Sequence, residues 1–218
     1  MNMKQYAVIG LGRFGASVAR TLADHNREVL AIDSCQDNVD DIMDEVTHCA
    51  QADATDIDDL KSLGLRNYDV AVVAISNLEA SIMTTALLKE LNVKYVVARA
   101  ASELHGRVLE RVGADRVIYP ERDMGARLSH NLIHANIMDY IDIAPGYSIV
   151  EIEAAGFLLG KTLGKLNLRA KYGVCVLAIR QGDSVLVSPG AEALISAGDV
   201  LVALGSEKSL RGFGDNFA

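Results

Sequence analysis

The sequence predicts an α/β protein: a doubly wound parallel sheet, then a crossover helix and a small α+β C-terminal lobe. Three observations carry this expectation. Short apolar runs alternate with amphipathic stretches over the first half of the chain. The run DVAVVAI at 69–75 is nearly unbroken, as in a parallel strand covered on both faces. The first run ends in Gly10-Leu11-Gly12-Arg13-Phe14-Gly15, with a helical pattern after it and a second strand closing on Asp33. Strand, glycine turn, helix, strand and acid together make a dinucleotide-binding fingerprint of an otherwise bare G-x-G-x-x-G.

In chain order, residues 5–9 read as a strand. Residues 14–25 read as a helix with Val18, Ala19 and Leu22 on one face. A strand at 28–32 and a short acidic helix at 36–45 follow, then a strand at 47–52 that ends at Asp53. Ile57, Leu60 and Leu63 fall at helical spacing, and Gly64 closes that helix. After strand 69–75 come a helix at 78–91, a strand at 95–98, a helix at 103–112 and a strand at 116–119, stopped by Pro120. Residues 123–140 contain no strand in this reading. Met124, Leu128, Leu132, Ile133 and Ile137 recur at helical intervals and predict a long crossover helix. The composition shifts at Ala144-Pro145-Gly146. Beyond it lie a strand at 148–153, a short helix at 161–168, a hairpin of strands 173–181 and 184–188 through Gly182-Asp183, and a strand at 199–204. The expected domains are 1–138, a nucleotide-binding lobe with its crossover helix, and 139–218.

Composition narrows the function. The chain has 218 residues, 50% of them apolar, which supports a packed core and not disorder. Its net charge of −8 argues against nucleic acid, whose phosphates call for clustered Lys and Arg. No apolar run approaches the roughly 18 residues of a membrane helix, and no signal-peptide pattern precedes the first strand. These features predict a cytoplasmic protein with no direct membrane insertion. Cys35, Cys49 and Cys175 form no C-x-x-C, so neither zinc nor a redox pair is expected; they read as buried or half-buried reduced thiols.

Ligands of open parallel sheets sit beyond the carboxyl ends of the strands. The residues expected on that rim are Gly10, Gly12, Arg13 and Gly15 after the first strand and Asp33 after the second. Asp53, Ala54 and Thr55 follow the third strand, Ser76 and Asn77 the fourth, Arg99 the fifth and Glu121 the sixth. Gly10 permits a tight turn, Gly12 lets backbone approach a diphosphate at the helix N-terminus, and Gly15 allows helix-on-strand packing. Asp33 suits both ribose hydroxyls and disfavours a 2′-phosphate. Asp53-Ala54-Thr55 either meets an adenine edge or caps the next helix. Arg13, a cation inside the turn, suits a polyphosphate better than a nicotinamide diphosphate. Glu121 either stabilises a helix N-terminus or holds a Mg²⁺-like ion against phosphates. His130 and His134, four apart, share a helix face but show no established ligand pattern. There is no G-x-S-x-G, no Walker lysine motif and no obvious hydride-transfer pair.

AVIGLGRFG, VLAID, QADATD, DVAVVAI and VGADRVIYPERDMG resemble the RCK (regulator of conductance of potassium) domain, close to the cytoplasmic regulatory subunits of bacterial Ktr-type potassium transporters. The resemblance covers essentially the whole chain. It implies a Rossmann-like lobe that binds ATP or ADP, sometimes NAD, through Gly10, Gly12, Arg13, Phe14 and Gly15. It implies dimers assembled into an octameric ring on a membrane-embedded potassium transporter subunit. Arg13 would sense the terminal phosphate across a subunit boundary, Asp33 would hold the ribose, and Glu121 would hold Mg²⁺ or Na⁺. Asn167 and Arg169 match a region where this family binds cyclic di-AMP in the C-terminal dimer groove; Gly164 departs from the family's bulky apolar residue. The resulting expectation is a nucleotide-sensing regulatory subunit, not an enzyme. The rival is a small NAD-dependent oxidoreductase or NAD sensor, which accounts for the glycines and Asp33 but leaves Arg13 and Glu121 without a role.

Overall fold

The computed structural model describes residues 4–133 and 137–214. The chain divides into two compact units after Glu121.

The first unit runs β1(Gln5–Ile9), α1(Arg13–Asp24), β2(Glu28–Asp33), α2(Gln36–Asp40), β3(His48–Gln51), α3(Ile57–Ser62), β4(Val70–Val73), α4(Leu78–Glu90), β5(Tyr95–Arg99), α5(Glu103–Arg111) and β6(Arg116–Ile118). Its strands pair in parallel in the order β3-β2-β1-β4-β5-β6. The order reverses between β1 and β4, which is where such a sheet opens a crevice. Side chains alternate across a strand. Ala7, Ile9, Leu30, Ile32, Ala71, Val73, Val96 and Ala98 therefore pack into one buried cluster. Val8, Val29, Ala31 and Val72, the residues between them, pack into another. Burial on both faces is why these strands carry continuous apolar runs.

Side chains close the N-termini of three helices of this unit: Asp56 accepts from Asp58 N–H on α3, Asn77 from Ala80 N–H on α4, and Ser102 from His105 N–H on α5. The α1 N-cap is Gly12, which offers no side-chain acceptor. The N–H groups of that first turn thus remain without a side-chain partner.

The second unit contains α6(Pro120–Ile133) from Arg122 onward, then β7(Ile137–Ala144), β8(Tyr147–Glu153), α7(Leu163–Leu166), α8(Leu168–Tyr172), β9(Cys175–Gln181), β10(Ser184–Val187), β11(Val200–Ser206) and α9(Glu207–Gly214). Its antiparallel sheet has the order β10-β9-β11-β8-β7. Val150, Ile152, Leu158, Ile179, Leu201 and Phe213 are buried together. Phe157, Tyr172 and Phe213 meet with ring centroids 5.5–6.1 Å apart.

Several expectations need correction. The helix foreseen over 123–140 starts at Pro120 and stops at Ile133, and β7 begins at Ile137. Met138-Asp139-Tyr140-Ile141 also alternates with period two, and pairing with β8 decides for the strand. Ala144-Pro145-Gly146 leads through that hairpin's turn, where Gly146 has φ +77°. The helix at 161–168 breaks at Asn167, whose φ of +46° is left-handed, into α7 and α8. The acidic helix after β2 ends at Asp40, not 45. Cys35 and Cys175 are exposed; Cys49 alone is half-buried.

Candidate functional site

A cavity of about 310 Å³ opens where the strand order reverses, lined by Gly10, Gly12, Asp33, Asp53, Ala54, Thr55, Ser76 and Asn77. The loops after β1, β2, β3 and β4 thus deliver eight of the residues expected on the rim to one place.

The three glycines differ physically. Gly10 has φ +92°, and a Cβ there would lie 3.0 Å from the Ala74 carbonyl carbon. A Cβ on Gly15 would lie 1.8 Å from the Gly10 carbonyl oxygen, so α1 sits on the turn as only glycine allows. A Cβ on Gly12 would meet nothing within 4 Å. The protein's own packing requires the first and third glycines and makes no demand at the second.

Asp33 ties the turn together. One carboxylate oxygen accepts from Leu11 N–H at 2.6 Å and the other from Cys35 N–H at 2.8 Å. Each oxygen has a second lone-pair direction, so capacity for ligand hydroxyls remains. Asp53 accepts from both the Thr55 hydroxyl, at 2.7 Å, and the Thr55 N–H, at 2.9 Å. These bonds hold the Asp53 carboxyl below its usual range. Capping of α3 falls to Asp56, which settles that alternative against Asp53 and Thr55. Asn77 does two things: it lines the cavity and accepts from Ala80 N–H at 2.9 Å. Asn77→Ala should lower stability by about 1 kcal/mol through loss of this cap, measured by denaturant unfolding; a change below 0.3 would contradict it.

Arg13 is the first residue of α1, exposed, and without an ion-pair partner among the described residues. It does not line the cavity, nor do half-buried Phe14, buried Gly15, Arg99 or Glu121. Arg99 donates through Nη1 to Ser76 Oγ at 3.1 Å and through Nη2 to Glu121 Oε1. The hydrogen bond from Arg99 holds the Glu121 carboxyl below its usual range. The pair's contribution to stability is therefore present above the ordinary carboxylate pKa and fades as acid protonates Glu121. The cation beside Glu121 in this structure is Arg99. No group of three or more His, Cys, Asp or Glu suited to a metal occurs among the described residues. A divalent ion at Glu121 would thus depend on phosphate oxygens and water for its other ligands. The His130–His134 pair lies outside the described side chains.

Sequence reasoning did not single out Ser34 and Asn38, which also line the cavity. Ser34 directly follows Asp33 and Asn38 lies within α2, and their closeness in sequence to Asp33 was the available signal.

In the second unit a groove of about 420 Å³ is lined by Leu163, Gly164, Asn167, Arg169, Cys175 and Pro189 among others. Asn167 and Arg169 thus line the same groove. Gly164 N–H donates to the Ala191 carbonyl at 2.7 Å, and a Cβ there would lie 3.0 Å from that oxygen. A side chain there is crowded, and the Ala191 backbone must give by a few tenths of an ångström to admit one.

Among the described residues no helix is long and apolar enough to cross a membrane. Residues 6–120 match the TrkA-N domain and residues 148–218 the TrkA-C domain. The chain is 43% identical over 211 residues to Ktr system potassium uptake protein C of Bacillus subtilis (strain 168), covering 96% of each chain. It is 43% identical to Ktr system potassium uptake protein A of the same organism, over 96% of this chain and 95% of that one. The crystal structure of the GsuK RCK domain shares the fold, with a TM-score of 0.70 at 17% identity over 100% of this chain and 48% of that one. Two matched domains and near-complete alignment make one conclusion: the chain belongs to the TrkA-type RCK family that includes the Ktr system potassium uptake proteins.

Proposed function

We propose that this chain is the cytoplasmic nucleotide-sensing subunit of a bacterial potassium-uptake system, gating a membrane-embedded partner and catalysing no reaction. The relatives' names supply the potassium system. The observation that carries the nucleotide reading is Gly12: it lines the cavity at an uncapped helix N-terminus, where an added Cβ would meet nothing within 4 Å. Room kept open beside free N–H groups suits a diphosphate.

In this reading Gly10, Gly12 and Phe14 shape the phosphate turn and Asp33 holds the ribose. Asp53, Ala54 and Thr55 face the base, while Ser76, Asn77 and Arg99 complete the rim. ATP and ADP differ by one phosphoryl group, so a contact to that group must bias the conformations. Arg13, with no competing carboxylate among the described residues, is suited to this contact, including one across a subunit boundary in a homo-oligomeric, octameric ring. Glu121 holds Mg²⁺ or Na⁺ when phosphates bring the remaining ligands. Residues 1–138 form the sensing lobe. Residues 139–218 carry a second site at Asn167 and Arg169 for cyclic di-AMP.

Arg13→Ala tests the sensing role by calorimetric titration. The variant should bind ATP and ADP with about equal affinity, losing a discrimination of roughly 5- to 150-fold. Discrimination equal to that of the native chain would overturn it.

A further inference from the structure

We infer that Glu121 is an internal stand-in for a nucleotide phosphate, holding the Arg99 guanidinium until an incoming phosphate takes it over. The inference rests on the nucleotide reading above.

Arg99 ends β5, and its side chain is 19% exposed, against 62% for Glu121. Its Nη1 bonds Ser76, a residue of the cavity wall. The guanidinium therefore lies one hydrogen bond from the nucleotide cavity, within reach of a small side-chain movement. Its Nη2 is bonded to a single Glu121 oxygen, and Nε, on the same edge of the fork, is buried with no partner among the described residues. An arginine edge is satisfied when two oxygens of one anion span it. Glu121 leaves that edge half met, and a phosphate offers the missing oxygen. The asymmetry in exposure decides which partner moves. Glu121 can be released into water at little cost, while the mostly covered Arg99 keeps needing an anion. Glu121 also stands in the first turn of α6, as the last residue of the first unit. Phosphate capture by Arg99 thus frees a carboxylate at the point where the chain passes to the second unit.

While Glu121 occupies Arg99, only a fraction of molecules offers the free guanidinium, and apparent affinity falls by that fraction. This sets the two roles of Glu121 apart. As a metal ligand it strengthens ATP binding in Mg²⁺; as a stand-in it weakens ATP binding when no metal is present.

The test is calorimetric titration with ATP, in excess EDTA and in Mg²⁺, of the native chain, Glu121→Gln, Arg99→Gln and the double variant. In EDTA, Glu121→Gln should tighten ATP binding about two- to fivefold, the scale of an exposed ion pair. In the Arg99→Gln background the same change should have no effect. Unchanged or weaker binding of Glu121→Gln in EDTA overturns the inference. So does equal tightening without Arg99, which would mean simple removal of a negative charge. The Mg²⁺ arm tests the metal role separately. A native chain that binds no ATP in either medium overturns the nucleotide reading, and this inference with it.

Discussion

Gly15→Ala should destabilise the first unit by about 3 kcal/mol or more, while Gly12→Ala, three residues earlier, should leave it nearly as stable and weaken nucleotide binding. At Gly15 the added Cβ falls 1.8 Å from the Gly10 carbonyl oxygen, a backbone atom in a turn fixed by its own bonds. Gly10 N–H donates to the Ile32 carbonyl at 2.8 Å and Ala74 N–H to the Ile9 carbonyl at 2.8 Å. The turn cannot yield without disturbing the β1–β2 and β1–β4 pairings, so the cost exceeds ordinary overpacking of 1–3 kcal/mol. The melting temperature should fall by roughly 6–12 °C. At Gly12 two small effects oppose each other. Alanine is a poorer N-cap than glycine by up to about 1 kcal/mol, and the stiffer unfolded chain returns about 0.4–1. Net stability stays near native. A methyl group in the space reserved for phosphates should nevertheless weaken ATP and ADP binding at least about tenfold, or 1.4 kcal/mol. Thermal melts and titrations of both variants check this contrast. Native-like nucleotide affinity of Gly12→Ala would show that the open space is not the ligand's.

Asp33→Ala should have the larger effect on binding. Its carboxylate holds Leu11 N–H and Cys35 N–H, and the two losses are unequal. Cys35 is exposed and its N–H can turn to water; Leu11 is 4% exposed and its N–H cannot. An unmet buried donor costs about 1–3 kcal/mol, and that penalty falls on the glycine turn itself. The ligand loses its ribose acceptor and meets a loosened phosphate turn, so nucleotide affinity should drop about a hundredfold or more. Binding within threefold of native would remove Asp33 from the site.

Much of this was legible in the sequence because it depends on local rules. The parallel sheet was legible because two-sided burial writes unbroken apolar runs such as 69–75. The rim was legible because ligand sites follow strand ends, so Gly10, Asp33, Thr55 and Ser76 could be placed before their contacts were known. What escaped depends on pairing and on side-chain reach. The residues 137–144 fit a helical and a strand period equally, and only a partner strand decides. Asn167 divides a helix because its backbone turns left-handed there, which its neighbours do not announce. The Arg99–Glu121 pair was hidden by 22 residues of separation. Each residue follows a strand end and so belongs to the rim, but strand-end position says nothing of which rim side chains reach one another.

A subunit that reads the number of phosphates on a nucleotide must bind ATP and ADP unequally. Side-by-side titration of the native chain with ATP, ADP and NADH tests it most directly. ATP and ADP should both bind, with affinities at least about fivefold apart, and NADH should not be oxidised. Equal affinity for ATP and ADP, or turnover of NADH, would contradict it.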